Sequence, residues 1–135
     1  MRFTALFLRI VLVCLLPPIA HAERAILECT AMKPAGGATL LDFRFAAVEG
    51  WKIERATLLL HLAGGKMPRA VRVSAAVEPA RARRLAVRDY GEGWMEIVVP
   101  PELLQARRGV TVRGARIHAR ETVKYAPYLM VEGSR

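Results

Sequence analysis

Apolar and polar residues alternate with a period of two along much of this chain. In "LLDFRF" the side chains of Leu41, Phe43 and Phe45 point one way, and those of Asp42 and Arg44 point the other. This alternation is typical of a β-strand with one buried face. Six further segments carry an alternating or fully apolar pattern and also predict strands: residues 26–32, 53–63, 71–77, 94–99, 109–119 and 128–133.

Turn residues separate these segments at short intervals, which favours an all-β, antiparallel β-sandwich over an α/β fold. Residues 53–63 are apolar on both faces, so we expect a central strand there. The turn residues of "GGKMP" follow, and they predict a hairpin between this strand and residues 71–77. Residues 79–93 are basic and aperiodic, and predict a long connection with one short strand around residues 85–87. At most one short helical turn is expected, near residues 101–106, because proline suits a first helical position.

The chain closes on an apolar segment rather than on a polar tail. Pro127 has no N–H to donate to a neighbouring strand, and it is tolerated where a strand begins. The following "YLMVEG" alternates Tyr128 and Met130 against Leu129 and Val131. A strand this apolar is unfavourable in water, so we expect it to pair with an early strand and to tie the end of the chain into the sandwich.

The first 22 residues have the features of a secretory signal peptide. Arg2 and Arg9 frame the start of the apolar segment "IVLVCLLPPIA", and "AHA" supplies small residues for cleavage after Ala22. The apolar stretch is about half of the roughly 20 residues that a membrane helix needs. We therefore expect a signal peptide over residues 1–22 and a single domain over residues 23–135. The mature protein is expected in the periplasm or outside the cell, with membrane contact only during export.

The expected mature chain is strongly basic. The sequence holds 21 Lys and Arg against 12 Asp and Glu; without Arg2 and Arg9 the basic count is 19, so residues 23–135 carry a formal charge of +7. Such a charge favours anionic partners. Export makes nucleic acid an unsuitable partner. Cys29 is the one cysteine after residue 22, so no intramolecular disulfide can form, and its alternation with Leu27 predicts a buried side chain.

The motifs of common enzymes are missing from the sequence. It has no G-x-S-x-G elbow, no phosphate-binding glycine loop and no zinc-type cysteine pair. His61 lies among leucines, and the spacing of His118 and Glu121 suits a metal on a helix rather than on a strand, so both histidines are interpreted as structural. Asp89 and Glu92 are the nearest candidates for acid–base chemistry. We expect no catalytic residue, no metal site and no cofactor.

One short segment concentrates cations beside aromatic rings. Arginine can bind carboxylates through paired hydrogen bonds, and aromatic rings can stack on sugar faces. The predicted ligand-binding residues are Arg81, Arg83, Arg84, Arg88, Tyr90 and Trp94, with Arg72 on the preceding strand as a further cation. The structural alternative is a solvated basic loop beside a tryptophan that belongs to the core.

The order of several short motifs resembles a known family. The motifs are "RATLLLHL" at residues 55–62, "VRVSAA" at residues 71–76, Trp94 with Glu96 and Ile97, "GVTVRG" at residues 109–114, and "RET" followed by "APYLMVEG". Together they resemble the DNRLRE-type carbohydrate-binding modules related to the disaggregatase domain, over residues 40–133. The resemblance implies a jelly-roll-like sandwich, polysaccharide as the ligand class, including acidic polysaccharide, and no catalysis. The stretch before Trp94 departs from the family pattern because it is short and rich in arginine.

The sequence thus supports a non-catalytic exported binding module, with acidic polysaccharide or another anionic polymer as the ligand. The alternative is a small envelope protein that docks on a partner protein through a sheet edge or a basic face. Both hypotheses require export.

The predicted cleavage site can be tested directly. Intact-mass spectrometry of protein recovered from the periplasm or the medium should give the mass of residues 23–135, because a signal peptidase cleaves after small residues such as those of "AHA". A recovered mass that still includes Met1 to Ala22 would contradict the secretory interpretation.

Overall fold

The computed structural model describes residues 23–118 and 123–135, most of which lie in β-strands and tight turns. The expected signal peptide lies outside these residues. The strands are Glu23–Ala35 (β1), Ala38–Phe43 (β2), Lys52–His61 (β3), Ala70–Ala75 (β4), Arg83–Ala86 (β5), Arg88–Gly91 (β6), Trp94–Val99 (β7), Val110–Arg113 (β8) and Tyr128–Ser134 (β9). Within the described ranges, no helix has the length and hydropathy to cross a membrane.

All strand pairs are antiparallel, in the order β5-β4-β8-β2-β1-β9-β3-β7-β6. The long strand β1 is shared: residues 23–28 pair with β9, whereas residues 29–35 pair with β2 after a bulge between Cys29 and Ala31. We call residues 23–28 with β9, β3, β7 and β6 the first sheet. Residues 29–35 with β2, β8, β4 and β5 form the second sheet.

The strand order is that of a jelly roll. The first sheet contains the order β1-β9-β3-β7, and the second contains β2-β8-β4-β5, which is the double Greek-key arrangement of jelly-roll sandwiches. The prediction of an all-β antiparallel sandwich is therefore confirmed, and so is the jelly-roll topology that the family resemblance implied. At the far side, β5 and β6 are separated by Val87 alone, so the chain passes there from the second sheet to the first. The sandwich is almost closed on itself.

One cluster of apolar side chains fills the space between the sheets. The first sheet contributes residues such as Leu27, Leu58 and Leu129, and the second contributes residues such as Leu41 and Val73. These five side chains are fully buried. The alternation in the sequence predicted a buried face for Leu27, Leu41 and Val73, and this prediction is confirmed.

The apolar closing segment is a central strand. β9 pairs with β1 on one side and with β3 on the other, and Leu129 and Val131 face the core. The prediction that this segment pairs with an early strand is confirmed. The prediction that residues 53–63 form a central strand is also confirmed, since β3 lies between β9 and β7.

The predicted hairpin around "GGKMP" is wrong. β3 belongs to the first sheet and β4 to the second, so the connection at residues 62–69 crosses between sheets instead of reversing within one. The predicted long connection at residues 79–93 is also largely wrong, because it contains two strands, β5 and β6. The one short strand expected around residues 85–87 overlaps the end of β5, whereas the arginine-rich sequence gave no indication of β6, because a strand at the edge of a sheet requires little apolar surface.

Three 3-10 turns occur in the described residues: Phe45–Val48, Pro101–Leu104 and Val123–Tyr125. The second is the helical turn expected near Pro101, and the other two were not expected. Phe45 is buried, as its pattern predicted, but it lies in a turn rather than in a strand. Arg107 stabilises this region because its guanidinium donates hydrogen bonds to the carbonyls of Val48 and Trp51.

Gly109 provides a test of the packing between β8 and β2. It has a φ of +87°, and a Cβ atom there would lie 2.0 Å from the carbonyl oxygen of Leu41. Gly109→Ala should lower the free energy of unfolding by about 2 kcal/mol or more, because both the left-handed backbone and the close approach oppose a side chain. Urea denaturation measures the change. Gly64→Ala is the matched control, since Gly64 has open space and an ordinary φ, and equal losses in the two variants would contradict the packing.

Candidate functional site

Three arginines form a row across the outer face of the second sheet. Arg72 on β4 is the direct partner of Arg84 on β5 and of Arg113 on β8. All three side chains are exposed. Neighbouring strands lie about 4.8 Å apart, so the backbones at the two ends of the row are about 10 Å apart. We call Arg72, Arg84 and Arg113 the arginine row.

The arginine row has no acidic counterpart in the described part of the chain. The ion pairs found there join Arg24 to Glu132, Arg81 to Glu78, Arg83 to Glu102, Arg88 to Glu96 and Arg135 to Glu23. None of them includes a residue of the row. Arg113 donates a hydrogen bond of 2.9 Å to the carbonyl of Gly36, which fixes the guanidinium without neutralising it. Like charges directly opposite each other destabilise a sheet, so this arrangement favours an anion supplied from outside.

Two cavities flank the arginine row and share Arg72 and Arg113. One has a volume of about 380 Å³ and is lined by Ala70, Val71, Arg72, Arg84, Arg113 and Gly114. The other, of about 160 Å³, lies on the opposite side and is lined in part by Ser74 and Thr111. Because β4 and β8 run through both linings, the cavities form a shallow groove that follows these two strands and crosses the row.

The smaller cavity brings hydroxyl groups close to the cations. Ser74 and Thr111 are direct partners on β4 and β8, two residues along from Arg72 and Arg113. Both lie on the outer face, yet both are buried, because the turn that contains Pro79 also lines this cavity. Hydroxyl groups donate and accept hydrogen bonds. The groove thus offers exposed guanidinium groups for an anion, beside a small cavity whose lining includes the buried Ser74 and Thr111.

The structure divides the six sequence-predicted site residues among several places. Arg84 belongs to the arginine row. Arg81 pairs with Glu78 at 3.4 Å, and Arg83 lies 3.9 Å from Glu102. The other three, Arg88, Tyr90 and Trp94, lie on β6 and β7 of the first sheet. The six residues therefore do not form one surface.

Trp94 belongs to an aromatic cluster on the outer face of the first sheet. Tyr125 stacks on His61 with ring centroids 3.8 Å apart, and Trp94 meets His61 edge-on at 5.2 Å. The ring of His118 lies 4.9 Å from that of His61. Trp94 is only partly buried, so it is neither a core residue nor a free platform. The stacked and edge-on contacts of this aromatic cluster hold the turn at Val123–Tyr125 against the sheet.

The hydrogen bond of His61 supports its interpretation as a structural residue. Its Nε2 lies 2.8 Å from the carbonyl oxygen of Glu92, and a carbonyl can only accept, so Nε2 carries the proton and donates. Gly93 is required beside it, because a Cβ atom there would lie 2.8 Å from Nε2. The Nδ1 atom is buried without a hydrogen-bond partner among the described residues. The ring thus ties the β6–β7 turn to β3.

Sequence analysis did not identify Arg113, Ser74 or Thr111 as site residues. Alternation places each of them on an outer face, but it does not tell which outer residues are neighbours. That information lies in the strand register, which brings Arg113 beside Arg72 across 41 positions of sequence. Arg84 was identified only because it belongs to the arginine-rich segment.

No protein-family model and no curated protein sequence matches this chain. Among residues 23–118 and 123–135, no three His, Cys, Asp or Glu side chains are grouped so that they could hold a metal ion. The arginine row and its groove are therefore the candidate functional site, because they combine exposure, uncompensated charge and a concave surface.

Tyr128 gives the first sheet a measurable response to pH. Burial raises the pKa of Tyr128 above the ordinary value of 10.0, and the nearby Tyr90 and Glu96 raise it further. The folded protein therefore holds this proton more tightly than the unfolded chain does. The resulting stabilisation is present below about pH 10 and is lost as the pH rises through the folded-state pKa.

Tyr128→Phe should reduce the loss of stability above about pH 10, because it removes a proton that unfolding releases. Urea denaturation at a series of alkaline pH values measures the difference from the wild type. Tyr90→Phe is the control, since Tyr90 is 64% exposed and its removal takes away only one of the smaller causes of the shift. The same alkaline loss in Tyr128→Phe and the wild type would contradict the assignment.

Proposed function

We propose that this chain is a non-catalytic exported binding module for acidic polysaccharide, and that the arginine row lies at the centre of its binding surface. The observation that carries the proposal is the direct pairing of Arg72 with Arg84 and Arg113. Three adjacent cations without acidic partners are unfavourable in the free protein. A bound polyanion neutralises the three cations, so the loss of their mutual repulsion makes the free energy of binding more favourable.

Guanidinium groups suit this ligand class better than ammonium groups do. Arginine presents a planar set of donors that matches a carboxylate or a sulfate with two parallel hydrogen bonds. Each residue of the row is an arginine rather than a lysine. The row therefore favours ligands with planar or tetrahedral anionic groups over a diffuse negative charge.

The groove favours a polymer over a single small anion. Its two cavities extend on both sides of Arg72 and Arg113, so a ligand that lies along β4 and β8 can place an acidic group at the arginines and uncharged groups beyond them. Ser74 and Thr111 line the smaller cavity, but with 2% and 9% exposure they form part of its floor and are not counted as ligand contacts. Small residues such as Ala38 and Ala70 leave room for the sugar rings to approach the sheet.

Two further observations support the proposal. The jelly-roll order agrees with the fold that the resemblance to DNRLRE-type modules implied, and polysaccharide is the ligand class of that family. The formal charge of +7 over residues 23–135 attracts polyanions over a longer range and raises the rate of encounter.

The double variant Arg72→Glu, Arg113→Glu tests this proposal. Its affinity for alginate, a polyuronate, should fall by at least about 100-fold, because a hydrogen bond to a charged group contributes about 1.5–3 kcal/mol and two such contacts are lost. Isothermal titration calorimetry with size-defined alginate fragments measures the change. Circular dichroism checks that the variant is folded, as expected for exposed positions.

The control carries the same change of charge elsewhere. Arg44→Glu with Lys66→Glu alters two exposed residues outside the row, so it should weaken binding only slightly, and added salt should remove the difference. A triple change of the row to lysine keeps the charge but should still lose affinity, because the paired hydrogen bonds are lost. Equal losses in the row variant and the control, or no binding of alginate or a sulfated polysaccharide by the wild type, would refute the proposal.

A further inference from the structure

Among the described residues that line the groove, those of the arginine row are the only charged ones. The lining of the larger cavity is completed by Ala70, Val71 and Gly114. The lining of the smaller cavity is completed by alanine, leucine, proline, serine and threonine residues. A ligand that lies along β4 and β8 therefore meets cations at one place and uncharged surface on both sides of it.

The uncharged surface begins one step along each strand from the row. Residues on the same face of a strand are two positions apart, which is about 7 Å. On β4 the neighbours of Arg72 on its face are Ala70 and Ser74, and on β8 the neighbour of Arg113 is Thr111. A step of this size is close to the length of one sugar residue in a polysaccharide. When an acidic sugar binds at the row, the sugars before and after it thus lie over uncharged surface.

A carboxylate lies beyond the smaller cavity. Asp42 follows Leu40 by two positions on β2, and Leu40 lines that cavity. Asp42 faces outward because it alternates with the buried side chains of Leu41 and Phe43. A Cβ atom on Gly109 would lie 2.9 Å from the Oδ1 of Asp42, so this carboxylate lies beside the start of β8. None of the ion pairs among the described residues includes Asp42. This end of the groove therefore repels a second acidic group.

We propose, on the basis of the function proposed above, that the groove selects acidic polysaccharides in which neutral sugars separate the acidic ones. The acidic sugar of such a polymer binds the arginine row, and its neutral neighbours lie over the two cavities. A polymer with an acid on every sugar must place further carboxylates where the lining holds no cation. Those carboxylates lose water without gaining a partner, which is unfavourable. Near Asp42 they also meet a like charge.

This selection acts against the long-range attraction of the domain for anions. The formal charge of +7 over residues 23–135 attracts a densely charged polymer more strongly than a sparsely charged one. Salt weakens this attraction, and at about 0.15 M the Debye length is only about 8 Å. The contacts within the groove then decide which polymer binds more tightly. Attraction by net charge alone predicts the opposite order of affinities.

Three forms of one alginate octasaccharide test the selection on a constant sugar backbone. The first is native, the second has about half of its carboxyl groups reduced to alcohols, and the third is fully reduced. Isothermal titration calorimetry at about 0.15 M salt should show that the half-reduced form binds about fivefold more tightly than the native form, because its bound acid has neutral neighbours. The fully reduced form should not bind. A half-reduced form that binds equally or more weakly than the native form would overturn the selection.

Two variants change the charge beside the row. Ala70→Arg adds a cation to the larger cavity, so it should raise the affinity for native alginate by about fivefold and change that for the half-reduced form little. Ala47→Arg is the matched control, because it adds the same charge at an exposed position in the turn Phe45–Val48; it should affect both forms alike. Asp42→Asn removes the repelling carboxylate with almost no change in size, and it should also favour the native form. Equal effects of all three variants on the two forms would contradict the selection.

The row variant distinguishes this proposal from the proposed function. Arg72→Glu with Arg113→Glu should weaken the binding of the native and the half-reduced forms, since both contact the row. If the row variant weakens both forms but the wild type binds the native form more tightly, the selection is wrong and the proposed function stands. If the wild type binds none of the three forms, both are wrong.

Discussion

β1 divides its hydrogen bonds between two neighbours, and the rest of the fold depends on this division. Residues 23–28 pair with β9, and residues 29–35 pair with β2 after the bulge at Cys29. A bulge bends a strand and increases its twist, so one strand can belong to both sheets. The direction of β1 thereby determines which faces meet in the core and which face outward. Both outer faces discussed above are consequences of this bend.

Much of the fold could be predicted from the sequence because alternation depends only on local order. The inward-facing residues of β4 and β7 follow directly from the pattern of apolar side chains. The pairing of strands could not be predicted in this way, because it depends on the path of the connections between the strands. The turn residues after β3 look like those of a hairpin, yet eight residues separate β3 from β4, which is long enough to cross from one sheet to the other. Nothing in the local pattern distinguishes these two outcomes.

The residues of the candidate site were also difficult to predict, because they come together only through strand pairing. Arg84 was identified from the density of arginines around it, whereas Arg83 next to it lies near Glu102 instead of in the row. The alternation of side chains separates these neighbours onto different faces. Arg113 comes from a distant strand and meets Arg72 only through the register of β4 and β8. A cluster in the sequence and a cluster in space are therefore different sets of residues, with Arg84 common to both.

The two outer faces have contrasting chemistry, although the same alternation produces them. The second sheet presents arginines among small side chains, and the first presents an aromatic cluster together with the exposed side chains of Ile26 and Val98. The proposed binding of polyanions therefore depends on one of the two outer faces only.

The pairing of β1 with β9 also determines how the domain responds to force. Glu23 and Gly133 are direct partners, so the two ends of the sandwich lie side by side on adjacent strands. Force applied between these two residues acts on one hydrogen-bonded pair at a time and opens the ladder as a zipper. Force that enters at the arginine row and leaves through Glu23 instead crosses β8, β2 and β1, and loads several pairs at once. The domain is therefore mechanically weak between its ends and more resistant between its proposed binding face and one end.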